Sequence, residues 1–333
     1  MKSTEVRLTQ HFTGEVKPQY FELAEVELPE PGEGEVQVAN EWLSVDPYMR
    51  PRMAGVKTYI DPFHVGQVMD GGAIGRVVKS NSDTLAEGDY VFSMFGWRTG
   101  FTAPAEGLMK VDAERLPAQT YLGMAGMPGM TAYVGLKRIL DLKSGETLWM
   151  SAGAGAVGSA GVQFAKAMGA NVIASAGGPE KTAFCRDIGA DAVIDYKAEA
   201  DLSAAVIREA DKLGGLDCYY ENVGGDHLRA ALDAIKQFGR IAACGMIARY
   251  NDDTVVPGPS NLTNIVSKSL TMRGFIIMHH FDMQEAFIAD LSKWMADGLV
   301  TPKETVFEGI ERTPEAFMGL FTGANTGKML VKV

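Results

Sequence analysis

The rhythm of hydrophobic and polar positions changes once along the chain. From Met1 to about Gly107, short apolar runs alternate with polar turns. Residues 6–8, 21–26, 36–43, 74–79 and 90–92 predict strands, and Pro31-Gly32 and Gly88-Asp89 predict turns between them. Strands at that spacing, with no helix between them, predict a small barrel or sandwich. Residues 44–50 (SVDPYMR) interrupt the pattern with a polar, aromatic turn. After Thr120 helical and strand patterns alternate: residues 126–137 begin a helix, and residues 192–196, 202–212, 216–220, 227–236 and 240–244 follow in turn. That alternation predicts a parallel sheet with helices on both faces. Residues 270–278 predict a further strand, and residues 281–297 a helix with Phe287, Ile288, Leu291, Trp294 and Met295 on one face. Residues 303–333 return to turns and a terminal strand, 329–333, expected to rejoin the first domain.

Residues 147–176, TLWMSAGAGAVGSAGVQFAKAMGANVIASA, hold a strand, a turn of Gly, Ala and Ser, a helix and a second strand. Gly153, Gly155 and Gly158 meet the G-x-G-x-x-G spacing, and Ala152, Gly155 and Gly158 a looser A-x-x-G-x-x-G. Side chains in such a turn would hold the backbone away from a pyrophosphate, whereas bare amides at a helix N-terminus donate to it. A glycine pattern is weak in a chain with 38 glycines, so the context decides. Val157, Ala160, Gly161, Phe164 and Met168 recur at helical spacing, and a second strand follows directly. This predicts a dinucleotide site. NAD sites usually carry an acidic residue about 20 residues on. Here the second strand runs into Ser175, Ala176, Gly177 and Gly178, and the first charges are Glu180 and Lys181. A small uncharged strand end beside a cation suits a 2′-phosphate, which favours NADPH. Read alone, Lys181 is better taken as a solvated helix residue.

Composition narrows the classes. The 333 residues suffice for two domains, and 46% hydrophobic with 22% charged residues is ordinary for a soluble protein. A net charge of -11 argues against nucleic-acid or anionic-membrane partners. The N-terminus MKSTEVRLTQ is unlike a signal peptide, and no apolar run reaches membrane-span length. Cys185, Cys218 and Cys244 are few and widely spaced, as expected in a reducing cytoplasm.

Several strings then occur together: VDPYMR (45–50), GMPGMTAY (126–133), the AGAGAVG turn, ENVGG (221–225), CGMIARYN (244–251) and GANTGK (323–328). By them the chain resembles, over nearly its full length, the zinc-free medium-chain dehydrogenase/reductases, within the prostaglandin reductase, curcumin reductase and alkenal double-bond reductase group. The resemblance implies a GroES-like β-rich domain (1–119, completed by 303–333), a Rossmann NADPH-binding domain (120–302) and a homodimer. It further implies that Gly155, Ala156, Val157 and Gly158 meet the pyrophosphate, Lys181 the 2′-phosphate, and Tyr196 the adenosine. Asn222, Cys244 and Tyr250 would lie at strand exits by the cofactor. Phe275, Ile276, Ile277, Asn325, Met127 and Thr131 would surround the nicotinamide half. Taken singly, Tyr196 and Phe275 read as core aromatics, Asn222 as a turn former, and Cys244 as a backbone contact alone.

Zinc-bearing relatives carry a Gly-His-Glu stretch and a lobe of closely spaced cysteines. The run here is Gly71-Gly72-Ala73-Ile74-Gly75, and the adjacent His279 and His280 diverge, so no metal site is expected. No G-x-S-x-G elbow supports serine hydrolase chemistry. Hydride delivery to the β-carbon of an α,β-unsaturated carbonyl needs no metal, because a hydrogen-bond donor can hold the enolate oxygen. The resemblance puts Tyr250 in that role, with Tyr48 lining the pocket; the alternative for Tyr250 is packing on the cofactor. Ala248-Arg249 departs from the small hydroxyl residues of mammalian prostaglandin reductases, so the resemblance runs closer to the bacterial-type curcumin and alkenal reductases than to reductases of lipid substrates. The expectation is a cytoplasmic NADPH-dependent enal or enone reductase acting on small molecules. The alternatives are a zinc-free quinone oxidoreductase and a non-catalytic NADPH-binding sensor.

Overall fold

Strands and helices fall into two blocks, as the pattern predicts. A computed structural model describes residues 1–333. One unit comprises Met1–Gly123, Tyr250–Asp253 and Glu304–Val333; the second comprises Met124–Arg249 and Thr254–Lys303. The strands in the first unit are β1 (Lys2–Leu8), β2 (Phe21–Glu27), β3 (Glu35–Ser44), β4 (Ala73–Ser80), β5 (Tyr90–Ser93), β6 (Gly100–Pro104) and β7 (Met109–Lys110). The second unit holds β8 (Thr147–Met150), β9 (Asn171–Ala176), β10 (Ala192–Asp195), β11 (Leu216–Glu221), β12 (Ile235–Ala243) and β13 (Thr271–Gly274). The chain then returns to the first unit with β14 (Glu304–Glu308) and β15 (Lys328–Lys332). In the same order the helices are α1 (Met49–Arg52), α2 (Met127–Val134), α3 (Ala156–Ala167), α4 (Pro179–Asp187), α5 (Leu202–Asp211), α6 (Asp226–Ala234), α7 (Asn264–Ser267), α8 (Gln284–Ala296) and α9 (Thr313–Thr322).

In the first unit β1 and β2 form a hairpin, and a seven-stranded sheet runs β14-β15-β3-β4-β5-β7, with β6 also on β3. The long β3 serves two neighbours on one side: residues 35–39 pair with β6 and residues 42–44 with β15. Irregularities opposite β4 at Gln37/Val38 and Asn40/Trp42 bend it enough to do so. Its end delivers the SVDPYMR turn, which closes into α1. Residues 100–104 and 109–110 are strands that the pattern did not predict; the first begins at Gly and ends at Pro.

The second sheet is wholly parallel in the order β10-β9-β8-β11-β12-β13. This is the doubly wound order in which direction reverses between β8 and β11, and ligands bind at the carboxyl ends there. β8 is buried at all four positions, as expected of a strand covered on both faces. Helix α3 buries residues 158–165 almost all round, whereas Val157 and Met168 are only half-buried, so its packing is broader than one apolar stripe. In α8, Phe287, Leu291 and Trp294 are buried and Ile288 and Met295 half-buried. After α2 the helix widens into a π-turn, Gly135–Ile139, where a Cβ on Gly135 would stand 2.2 Å from the Tyr220 ring.

Three expectations at the C-terminal end need correction. Residues 304–308, expected as turns, form β14, paired parallel with β15. The strand over 270–278 stops at Gly274, because its partner β12 ends opposite at Ala243; a 3-10 turn, Ile277–His279, follows. Residues 313–322, expected as turns, form α9, which starts with Pro314 in its first turn and stops at Gly323 with φ 75°. No helix is long and apolar enough to cross a membrane.

Candidate active site

The turn after β8 is shaped by its glycines. A Cβ on Gly153 would stand 2.9 Å from the Ala174 Cβ, and one on Gly158 2.0 Å from the Ala152 carbonyl oxygen. Both positions are closed by packing. On Gly155 a Cβ would meet only that carbonyl, at 3.3 Å. The first intrahelical bond of α3 runs from the Ser159 N–H to the Gly155 oxygen at 2.8 Å, so the amides of Ala156, Val157 and Gly158 have no intrahelical partner. The Gly153 N–H is used elsewhere, donating to the Ser175 oxygen at 2.9 Å. Donors at the positive end of a helix, over a position left bare, fit a pyrophosphate.

The end of β9 carries no carboxylate. Gly177 and Gly178 follow it, the latter at φ 91°. A Cβ on Gly177 would stand 2.8 Å from the Lys197 Cε and 2.9 Å from the Tyr196 hydroxyl, so both side chains lie over this glycine. Asp195 is near, but its Oδ1 accepts from the Gly178 N–H at 2.9 Å and the Lys197 N–H at 3.1 Å. Lys181 stands on the first turn of α4; burial first, then the Lys197 ammonium, hold its pKa below the ordinary lysine value. Two cations that repel each other beside an uncharged strand end fit a 2′-phosphate. The Tyr196 ring meets His227 edge-on at 5.0 Å, and His227 stacks on Trp149 at 5.7 Å. Burial pushes the His227 imidazole down to about 4, so it is neutral at pH 7.

Asn222 ties the ends of β11 and β8: its N–H donates to the Ser151 Oγ and its Nδ2 to the Ser151 oxygen, both at 2.9 Å. Glu221 is fully buried, and its Oε1 accepts from the Tyr219 hydroxyl at 2.8 Å and the Val223 and Gly224 amides at 2.6 and 2.8 Å. Burial raises its pKa. Just past β12, Cys244 donates its N–H to the Glu221 oxygen at 3.0 Å, and burial pushes its thiol up to about 12. Such a thiol is inert, and its backbone is what it offers. Phe275 stands edge-on to Tyr220 at 6.4 Å; Ile276 is half-buried and Ile277 buried. On α2 the Thr131 hydroxyl donates to the oxygen of the exposed Met127 at 2.7 Å.

In the first unit the SVDPYMR turn is held from below by β15. The Lys328 Nζ donates to the Val45 oxygen at 2.8 Å and the Asp46 Oδ1 at 3.0 Å, and the Ser44 hydroxyl donates to the Asp46 Oδ2. Half-buried Tyr48 follows. Burial, then the Asp46 charge, pushes its phenol well above the ordinary value, which leaves it a proton-bearing donor. The Asn325 Nδ2 donates to the Gly327 oxygen at 2.8 Å within its own turn. No group of three or more His, Cys, Asp and Glu side chains comes together where it could hold a metal ion.

Residues 4–111 match the family described as the N-terminal domain of oxidoreductase, and residues 156–295 that described as zinc-binding dehydrogenase. Prostaglandin reductase 1 of Bos taurus is 40% identical over 330 residues, 98% of this chain and 97% of that protein. The 2-alkenal reductase (NADP(+)-dependent) of Nicotiana tabacum is 37% identical over 340 residues, 100% of this chain and 98% of its own. The chain belongs to the zinc-independent medium-chain dehydrogenase/reductases. Among solved structures, CurA from Vibrio vulnificus in complex with NADPH superposes with a TM-score of 0.93 at 35% identity, covering 99% of both chains.

As a member of this family the chain is an oxidoreductase. Its implied cofactor and catalytic residues divide by unit. Residues 155–158, Lys181, Tyr196, Asn222, Cys244 and residues 275–277 stand at the carboxyl ends of the second unit's strands, with Met127 and Thr131 on α2. Tyr48, Tyr250 and Asn325 belong to the first unit. Sequence reasoning missed Lys197, although it directly follows Tyr196. It also missed Glu221, Asp46 and Lys328, each of which lies inside a string already singled out.

Proposed function

We propose that this oxidoreductase is NADPH-dependent and reduces the carbon-carbon double bond of α,β-unsaturated aldehydes and ketones, whether alkenal, enone, curcumin-like or prostaglandin-like. The observation that carries the cofactor reading is the Lys181 and Lys197 pair at the carboxylate-free end of β9, together with the bare α3 terminus. The relatives named 2-alkenal reductase and prostaglandin reductase support the substrate class. When bound, NADPH supplies a hydride for the β-carbon of the conjugated carbonyl.

The amides of residues 156–158 hold the pyrophosphate, and Lys181 and Lys197 the 2′-phosphate. The Tyr250 hydroxyl donates to the carbonyl oxygen, where negative charge develops as the β-carbon is reduced. A donor already oriented in a site that excludes water needs no reorganisation as that charge appears. Tyr48, kept protonated by its surroundings, lines the substrate side. A proton added at the α-carbon completes the saturated product. A cytoplasmic homodimer is part of the same reading; all three cysteines are free thiols.

The test follows NADPH absorbance with 2-alkenals, enones and quinones offered in turn. Oxidation with alkenals or enones supports the reading. Oxidation with quinones alone replaces it with a quinone oxidoreductase, and oxidation with none with a cofactor-binding sensor. Sedimentation of the purified protein checks the dimer.

A further inference from the structure

Arg50, in the VDPYMR string, is 2% exposed, yet its partners are all neutral. The Nε donates to the Asn251 Oδ1 at 3.0 Å, the Nη2 donates to the Gly14 oxygen at 2.6 Å, and the guanidinium lies 4.6 Å from the Phe12 ring centroid. Burial lowers its pKa. A desolvated charge with no countercharge is costly, and a leucine or methionine would fill the same space without that cost. What the guanidinium adds is direction, because its planar fork holds several acceptors at fixed angles. Here the guanidinium's contacts come from two separate stretches of the first unit, residues 12–14 and the segment Tyr250–Asp253, and tie both to the SVDPYMR turn that carries the arginine. A Cβ on Gly14, which takes φ 75°, would lie 3.9 Å from the Asp253 Cβ, so the segment rests on that loop at its far end too.

We propose that Arg50 is a positioning residue for Tyr250: by gripping the Asn251 side chain it fixes the backbone of residues 250–253 and sets where the Tyr250 hydroxyl is presented. The same arginine lies two residues past Tyr48, so one guanidinium sets the segments of both tyrosines. This rests on the reading of Tyr250 as the donor to the carbonyl oxygen.

Asn251, only half-buried, is the residue to vary, because its loss leaves the interior around Arg50 in place. Asn251→Ala is expected to lower kcat for an enone about tenfold, the scale of a small misplacement of a reacting group, with KM for NADPH little changed. Asn251→Asp, which keeps an acceptor oxygen, restores most of the loss. On the cofactor-free protein, hydrogen exchange of the amides of residues 250–253 is faster in Asn251→Ala than in wild type and slow again in Asn251→Asp. In a Tyr250→Phe background, Asn251→Ala lowers kcat no further. Full turnover or unchanged exchange in Asn251→Ala, or an equal loss in both backgrounds, overturns the positioning role while the Tyr250 reading stands. Full turnover in Tyr250→Phe overturns the Tyr250 reading, and the positioning role falls with it.

Discussion

The Lys328 ammonium lies 3.0 Å from the Asp46 carboxylate, with their side chains 4% and 8% exposed. The pair joins Lys328, where the GANTGK string ends and β15 begins, to the turn that carries Tyr48. Removing one member strands the other's charge in the interior, so Lys328→Met is expected to cost roughly 3–5 kcal/mol in urea unfolding. Asp46→Asn acts in the same direction, and the double variant loses less than the two single losses added together.

Lys181→Ala should weaken NADPH by about 1–3 kcal/mol, the scale of a charge-assisted hydrogen bond, and NADH much less. Lys197→Ala should discriminate in the same sense. Because Lys181 titrates below the ordinary lysine value, NADPH affinity should fall as pH rises through that lowered pKa, while NADH affinity stays level. Fluorescence titration of both coenzymes against pH checks this; equal losses for both would remove the lysines from the phosphate site.

Gly155 and Gly158 should separate binding from folding. At Gly158 an added methyl meets the Ala152 carbonyl at 2.0 Å, so Gly158→Ala should lower both the melting temperature and NADPH affinity. At Gly155 the nearest atom is 3.3 Å away, so Gly155→Ala should keep its melting temperature within a few degrees and still bind NADPH poorly. Scanning calorimetry with and without NADPH distinguishes the two.

Tyr250→Phe removes one donor from the developing oxyanion and should lower kcat for enones about 10²-fold with NADPH affinity unchanged. Stopped-flow reduction of an enone under saturating NADPH is the direct measurement. Unaltered turnover would take Tyr250 out of the chemistry.

His227 should govern part of the acid sensitivity of the second unit. Its imidazole titrates at about 4 in the fold against about 6.5 in an unfolded chain, so the unfolded state binds the extra proton between those values. Its contribution is complete above pH 6.5 and is lost as pH falls toward 4, amounting to roughly 3 kcal/mol over the whole window. His227→Phe should flatten urea midpoints compared at pH 7 and pH 5.

The glycine turn after β8 was legible because two of its three glycines stand where packing leaves no room for a side chain. The second-unit sheet was legible from alternation alone. Lys197 was not, since a lysine after a strand is ordinarily solvated, and only the missing side chain of Gly177 brings it over the strand end. The end of β13 depends on where β12 stops, a tertiary fact that the apolar run 270–278 does not carry. Asp46 and Lys328 sat inside recognised strings, yet their pairing spans most of the chain and has no local signature.

Tyr250–Asp253 is encoded in the middle of the second unit's sequence and seated in the first. A chimaera that transplants one relative's coenzyme unit as a single block, residues 124–303, therefore imports a foreign tyrosine and asparagine onto the host's arginine. Grafts that splice around those four codons, leaving the host's own, keep the matched set together, and substrate preference should then travel with the host rather than with the donor.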